Sequence, residues 1–260
     1  MIQMIRAYKK NEPLHRMDGG KSHNPPRCQC DPSCKNPPLE GSPFCKDHVK
    51  NCPRKAPLSG SEPKYDPDRY NRHPGIQESH NCFAYAFNYL HLPKENKNCN
   101  KESCDIPYPQ PGRASGYPKW SKVKGKRCPD LVSRFMGDVI GIIPSTFTEK
   151  CPRGMYKIAP VVDPDQDYHF YRQDSTSKWS HKPGATKVTN RDSSGRPIYD
   201  PQLASRDSPD SGLDYDTFCG YWCVPSEIKT LLGRGGSRRS KKTRRSKKTR
   251  RSKKTRRSAH

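Results

Sequence analysis

Apolar residues are scarce in this chain of 260 residues: 30% are hydrophobic, against the roughly 45–50% usual in globular domains. That shortage excludes one uniformly packed globule and leaves room for loops, cross-linked modules and extended segments. No run approaches the ~20 consecutive apolar residues that a membrane-spanning helix needs. Met1–Lys21 is charged and has no sustained apolar stretch, so a conventional signal peptide is not expected. The chain therefore reads as intracellular or intracellularly assembled, with nuclear or virion association in view. Acids are short as well. The 26 Asp and Glu residues face 50 Lys and Arg, for a formal net charge of +24.

The deficit of acids is concentrated at one end. From Arg234 to His260 there are fifteen Lys and Arg and no acid, in Ser-Lys-Lys-Thr-Arg-Arg repeats at 240–245, 246–251 and 252–257, and the rest of the chain carries +9. A block of like charge without apolar residues repels itself and stays unfolded until a polyanion neutralises it. Arg238, Arg239, Lys241, Lys242, Arg244, Arg245, Lys247, Lys248, Arg250 and Arg251 are the candidate nucleic-acid contacts. Such binding is phosphate-driven, blind to sequence and weakened by salt through counterion release. The same run fits a nuclear-localisation address, and phosphorylation of its hydroxyls would offset its charge. A merely solubilising tail is the plain alternative.

What is abundant is cysteine and proline, with 12 and 27 residues. Residues 22–60 hold Cys28, Cys30, Cys34, Cys45, His48 and Cys52 with almost no aliphatic side chains. A segment so small and polar needs covalent or metal cross-links in place of apolar burial. Cys45 and His48, three residues apart on a turn, can face one tetrahedral Zn²⁺. The expected ligands are Cys34, Cys45 and His48 with either Cys28 or Cys30, and Cys52 in reserve. With every position filled by protein, the zinc would be structural. A disulfide-stapled loop is the alternative. The run Gly41-Ser42-Pro43-Phe44-Cys45-Lys46-Asp47-His48 resembles the end of short Cys-rich zinc-binding modules in proteins of large DNA viruses.

Further along, Phe83, Ala86, Phe87 and Leu90 recur at helical spacing, which predicts an amphipathic helix capped by Asn81 and stopped by Pro93. Cys82 then sits at the first helical position, where unpaired N–H groups favour a thiolate. Met155–Val162, Tyr168–Gln173 and Lys178–His181 read as strands. The last two, joined by a turn at Asp174–Ser177, bring His169 and His181 close enough for one to orient the other. Pro129–Val139 reads as a second helix. Phe218–Val224 reads as a closing strand with Phe218, Trp222 and Val224 on one face and Cys219, Tyr221 and Cys223 on the other. Cys219 and Cys223 would lie too far apart to pair with each other. Cys99, Cys104, Cys128 and Cys151 have no metal-ligand spacing. They are free thiols, or pairs if the protein matures in an oxidising particle.

Asn81-Cys82 opening a helix, Gln110-Pro111-Gly112 in the following loop, and His169 followed by His181 resemble the NlpC/P60-type branch of papain-like cysteine peptidases and amidases, over roughly residues 78–200. The resemblance implies a papain-like α+β fold with Cys82 as nucleophile, His169 as general base and His181 as orienting residue, acting on an amide bond. Backbone N–H groups at the helix start would stabilise the oxyanion. Gln173 and Asp174 are alternative third members. The expected organisation is an N-terminal extension (1–21), a Cys-rich zinc-binding module (22–56), a linker (57–77), the α+β domain (78–232) and a disordered polybasic tail (233–260). The competing expectation is a non-enzymatic nucleic-acid-binding or virion packaging protein with an inactive papain-like scaffold.

Overall fold

A computed structural model describes residues 25–90, 109–123, 126–164, 166–208 and 212–228. The N-terminal extension, Cys99, Cys104, Pro93 and the polybasic repeats lie outside them. The fold combines short helices with an antiparallel sheet, an α+β arrangement. The helices are α1 (Asp68–Asn71), α2 (Pro74–Ser79), α3 (Cys82–Ala86) and α4 (Cys128–Asp138), with a 3₁₀ turn at Trp120–Lys122. The strands are β1 (Ile143–Ser145), β2 (Met155–Asp163), β3 (Asp167–Gln173), β4 (Trp179–His181), β5 (Asp207–Ser208), β6 (Leu213–Asp214), β7 (Thr217–Phe218) and β8 (Tyr221–Pro225). The main sheet runs β1-β8-β2-β3-β4, with β7 also on β2, and every pairing is antiparallel. No helix among the described residues is long and apolar enough to cross a membrane.

The core follows from side-chain alternation along β2 and β3. Tyr156, Ile158 and Val162 of β2, with Tyr168 and Phe170 of β3, join α3 and α4 in one buried cluster. Ala159, Val161 and Tyr171 point the other way and pack with Trp179, Ile198 and Phe147 in a second. Phe170 lies among Phe83, Phe87 and Phe135, with ring centroids 5.3, 6.0 and 5.9 Å away. Each such pair adds about 0.5–1.5 kcal/mol beyond its buried area. Arg172, on the helix side of β3, is buried too. It binds the Asp174 carboxylate, the Tyr85 carbonyl and hydroxyl and the Lys64 carbonyl, and its guanidinium stacks 3.9 Å from the Tyr85 ring.

Three local expectations are corrected. Helix α3 ends at Ala86, well before Pro93, because Asn88 adopts φ 51° and the chain closes on itself. Tyr89 N–H donates to the Ala84 carbonyl (2.9 Å) and Asn88 N–H to the Tyr85 carbonyl (3.0 Å), a Schellman closure with asparagine in the left-handed position. The closing strand is two strands. Val161 faces Phe218 whereas Ile158 faces Trp222, so one extra residue is inserted around Cys219–Gly220. This bulge stands across from Pro160, which has no N–H to offer the ladder. It reverses the side-chain parity, and Phe218 packs beside the second cluster while Trp222 and Val224 enter the first. The stretch 57–77 is also no bare linker. It forms α1 and the start of α2, the latter opened by His73 as cap and Pro74 in the first turn.

A cysteine–histidine cluster and a buried histidine pair

The Cys-rich module folds around its sulfurs. Cys28, Cys34, Cys45 and His48 present one ligand atom each, all within 4.8 Å of one another. The turn after Phe44 brings His48 N–H (3.1 Å) and Val49 N–H (2.9 Å) onto the Cys45 carbonyl and so aims the imidazole back at the thiols. Nδ1 of His48 lies 3.4 Å from Cys28 Sγ and 3.3 Å from Cys45 Sγ, and the Cys34 and Cys45 sulfurs are 3.7 Å apart. A tetrahedron with metal–sulfur bonds of about 2.3 Å has S···S edges of about 3.8 Å, so these separations suit a metal ion held by all four groups. Burial pushes the Cys45 thiol up, but hydrogen bonds from Cys28 and from the Asp47 and His48 backbone outweigh it and bring it to about 7.

Between the two candidates for the fourth ligand, Cys28 joins the cluster. Cys30 is bonded to Cys52 in a disulfide, which removes both Cys30 and the reserve ligand Cys52 from metal binding. The cause is local: residues two apart with Gln29 between them send their sulfurs to different partners. Cys128 pairs with Cys219 and Cys151 with Cys223, so four more thiols are cross-linked. Cys28, Cys34, Cys45 and Cys82 are the unpaired cysteines among the described residues.

Asn81 caps α3 as its sequence position implies, its side-chain oxygen accepting from Ala84 N–H at 3.1 Å. Its Nδ2 donates to the Pro109 carbonyl, and Tyr168 Oη donates to Gln110 Oε1. These contacts seat the Gln110-Pro111-Gly112 loop beside the helix start, where Gly112 takes φ 86° and a Cβ would meet Tyr117 and Arg134 at under 3 Å. Cys82 is 5% exposed. Burial and the Asp167 charge push its thiol well above the ordinary value, despite hydrogen bonds from the Phe170 and Phe83 backbone.

The histidines meet. His169 Nε2 lies 2.7 Å from His181 Nδ1, and His181 Nε2 lies 2.9 Å from the Arg191 carbonyl. A carbonyl only accepts, so His181 carries its proton on Nε2, and in the neutral ring its Nδ1 accepts from His169 Nε2–H. The second ring nitrogen of His169 is then the basic lone pair. Burial, together with the adjacent His181, pushes His169 well below its ordinary value. Burial also lowers His181 to about 4, against the opposing effects of the Arg191 carbonyl and Asp192. Both rings are therefore neutral at neutral pH. His169 projects from the face of β3 away from Phe170, alongside Tyr171 and Tyr215. Among the described residues no side-chain hydrogen bond joins Cys82 to either imidazole.

The alternative third members are engaged elsewhere, Gln173 with the Ala56 carbonyl and Asp174 with Arg172. One participant carries no sequence signal. Arg191 acts through its backbone carbonyl, which every residue possesses. Lys182 is fully buried, binding the Gln77 and Gly184 carbonyls at 2.6 and 2.8 Å. Burial lowers its ammonium to about 8, and only the proximity of Cys82 opposes this. Its position directly after His181 was the one available hint.

No family model matches the chain, and no solved structure matches it. It is 36% identical over 144 residues to insoluble matrix shell protein 1 of Ruditapes philippinarum, a stretch covering 55% of this chain and 81% of that protein. The chain belongs to the family of that shell matrix protein.

Proposed function

We propose that the α+β domain is a papain-like thiol hydrolase of the NlpC/P60 type, with Cys82 as nucleophile, His169 as base and His181 as the residue that orients it. The observation that carries this reading is the 2.7 Å hydrogen bond between two buried neutral imidazoles, which reserves one nitrogen of His169 for a proton. With the thiol raised and the imidazole lowered, the resting pair is neutral. The thiol proton passes to His169 as sulfur attacks an amide carbonyl. His169 returns it to the departing amine, and water then cleaves the thioester. An electrophilic probe carrying an amide-like carbonyl should label the full chain and spare Cys82→Ala. Equal labelling of both ends the proposal.

A second reading is favoured by kinship and by the disulfides: a non-enzymatic structural protein on a papain-like scaffold. The relative is named as an insoluble matrix shell protein. The three disulfides among the described residues support maturation in an oxidising compartment, outside the reducing cytosol. Residues 28, 34, 45 and 48 would hold a structural zinc ion, and the basic repeats would bind a polyanion, whether nucleic acid or an acidic matrix polymer. Under this reading the Cys82→Ala protein behaves as the wild type in every assay, while removal of 234–260 abolishes salt-sensitive retention on polyanions.

A further inference from the structure

Gln29 is 1% exposed and stands between Cys28, a member of the metal cluster, and Cys30, a member of a disulfide. Its side chain leaves the module altogether. Oε1 accepts from Tyr199 N–H at 2.6 Å and from Asp200 N–H at 3.1 Å, while Nε2 donates to Asp192 Oδ2 at 3.2 Å. Asp192 in turn organises its own loop, accepting from the backbone N–H groups of Ser194, Arg196 and Ser205. One residue earlier, the Arg191 carbonyl accepts from His181 Nε2. The backbone pairing of His181 with Thr189, at 2.8 and 2.9 Å, ties the same loop to β4.

A continuous set of contacts therefore runs from the cysteine cluster to the histidine pair. We propose that Gln29 is a positioning residue through which metal binding at Cys28, Cys34, Cys45 and His48 holds the Arg191 carbonyl in place, and with it the tautomer of the His181–His169 pair. The physical argument is geometric. Gln29 is clamped on both sides by cross-linked neighbours, which aim its amide at the 192–200 loop, while Phe44 on Tyr199 and Arg54 on Asp200 hold the module against the far end of that loop. Losing the ion frees Cys28 and with it one end of the clamp. What then holds Gln29 is the disulfide at Cys30 and the bond from its own N–H to the Pro43 carbonyl at 2.8 Å. A displaced loop withdraws the acceptor that fixes the His181 proton on Nε2, and His169 loses its oriented partner. This deepens the hydrolase reading, on which the role of the pair rests.

Imidazole ¹⁵N spectra of the full chain purified with its metal, with Gln29→Glu as the variant, test the proposal. That substitution keeps the acceptor for Tyr199 and Asp200 and removes the donor to Asp192. In the wild type, His181 should report Nε2 protonated and Nδ1 as acceptor. Stripping the metal with a strong chelator, or introducing Gln29→Glu, should each move these signals toward mixed tautomers and slow modification of Cys82 by the amide-type probe by about tenfold or more. Zn²⁺ added back should restore the wild type and leave Gln29→Glu unrestored. Histidine signals unmoved by chelation overturn the proposal, and so do signals unmoved by the substitution. The chelation arm stands alone should Gln29→Glu not fold. If the signals move but Cys82→Ala labels like the wild type, the hydrolase reading fails and the coupling stands. If the probe spares Cys82→Ala while the signals do not move, the reverse holds.

Discussion

Breaking the Cys128–Cys219 disulfide by Cys128→Ala with Cys219→Ala gives the most quantitative test of the fold. The bond joins residues 91 apart, which by loop-closure entropy alone corresponds to about 4.6 kcal/mol. That figure is too large for the single disruption, because Cys151–Cys223 bridges an overlapping stretch of 72 residues. With that second bridge intact, the ring still closed by Cys128–Cys219 runs from 128 to 151, across the bridge, and from 223 back to 219. This ring of about 28 residues corresponds to about 3.6 kcal/mol. Removing Cys151–Cys223 instead opens the same ring and costs a similar amount, while removing both should cost roughly 8 kcal/mol, somewhat more than twice either loss. Domains are commonly stable by about 5–15 kcal/mol, so the double variant stands near the limit of folding. In urea, with a slope of about 2 kcal/mol per molar, each single disruption should lower the midpoint by about 1.8 M. A fall of less than about 0.5 M for either, or two very unequal falls, would refute the shared-ring argument.

Other outcomes follow from individual contacts. Arg172→Met strands the buried Asp174 carboxylate and should cost about 3–5 kcal/mol in a denaturation experiment; a loss under about 1 kcal/mol would show that water or a rearranged partner replaces the guanidinium. Burial holds His181 at about 4, below the ordinary 6.5, so between those values the unfolded chain binds a proton that the folded chain does not. Its contribution, about 3 kcal/mol, is complete above pH ~6.5 and lost as pH falls toward ~4. His181→Asn should lessen the slope of the stability profile over that window, leaving the part that belongs to His169, and an unchanged profile would contradict the assignment. Native mass spectrometry should find one metal ion per chain, absent from Cys45→Ala; an ion retained by that variant would place the site elsewhere.

Where neighbouring residues carry the physics, the sequence alone determined the outcome. Asn81 caps α3 because a short polar side chain before an apolar run reaches the N–H three residues on. Cys45 and His48 share a cluster because a tight turn leaves them no alternative. His169 and His181 meet because a four-residue turn joins two antiparallel strands whose alternation sends both rings to one face. Helix α4 was readable from its apolar spacing, and the tail's charge from composition alone.

Tertiary structure decided what depends on distant partners. Cysteine spacing does not say which thiols pair, so the bonds of Cys128 to Cys219 and of Cys151 to Cys223 emerge only once folding brings together residues 91 and 72 positions apart. The early end of α3 depends on a left-handed Asn88 whose side chain accepts from Arg69 and Arg172, residues 19 and 84 positions away. The reversed face of Phe218 depends on Pro160 across the sheet. Gln29 shows the limit most clearly. A polar residue between two cysteines looks like spacer until folding lays it against a loop 163 positions downstream, where its amide finds the carboxylate of Asp192.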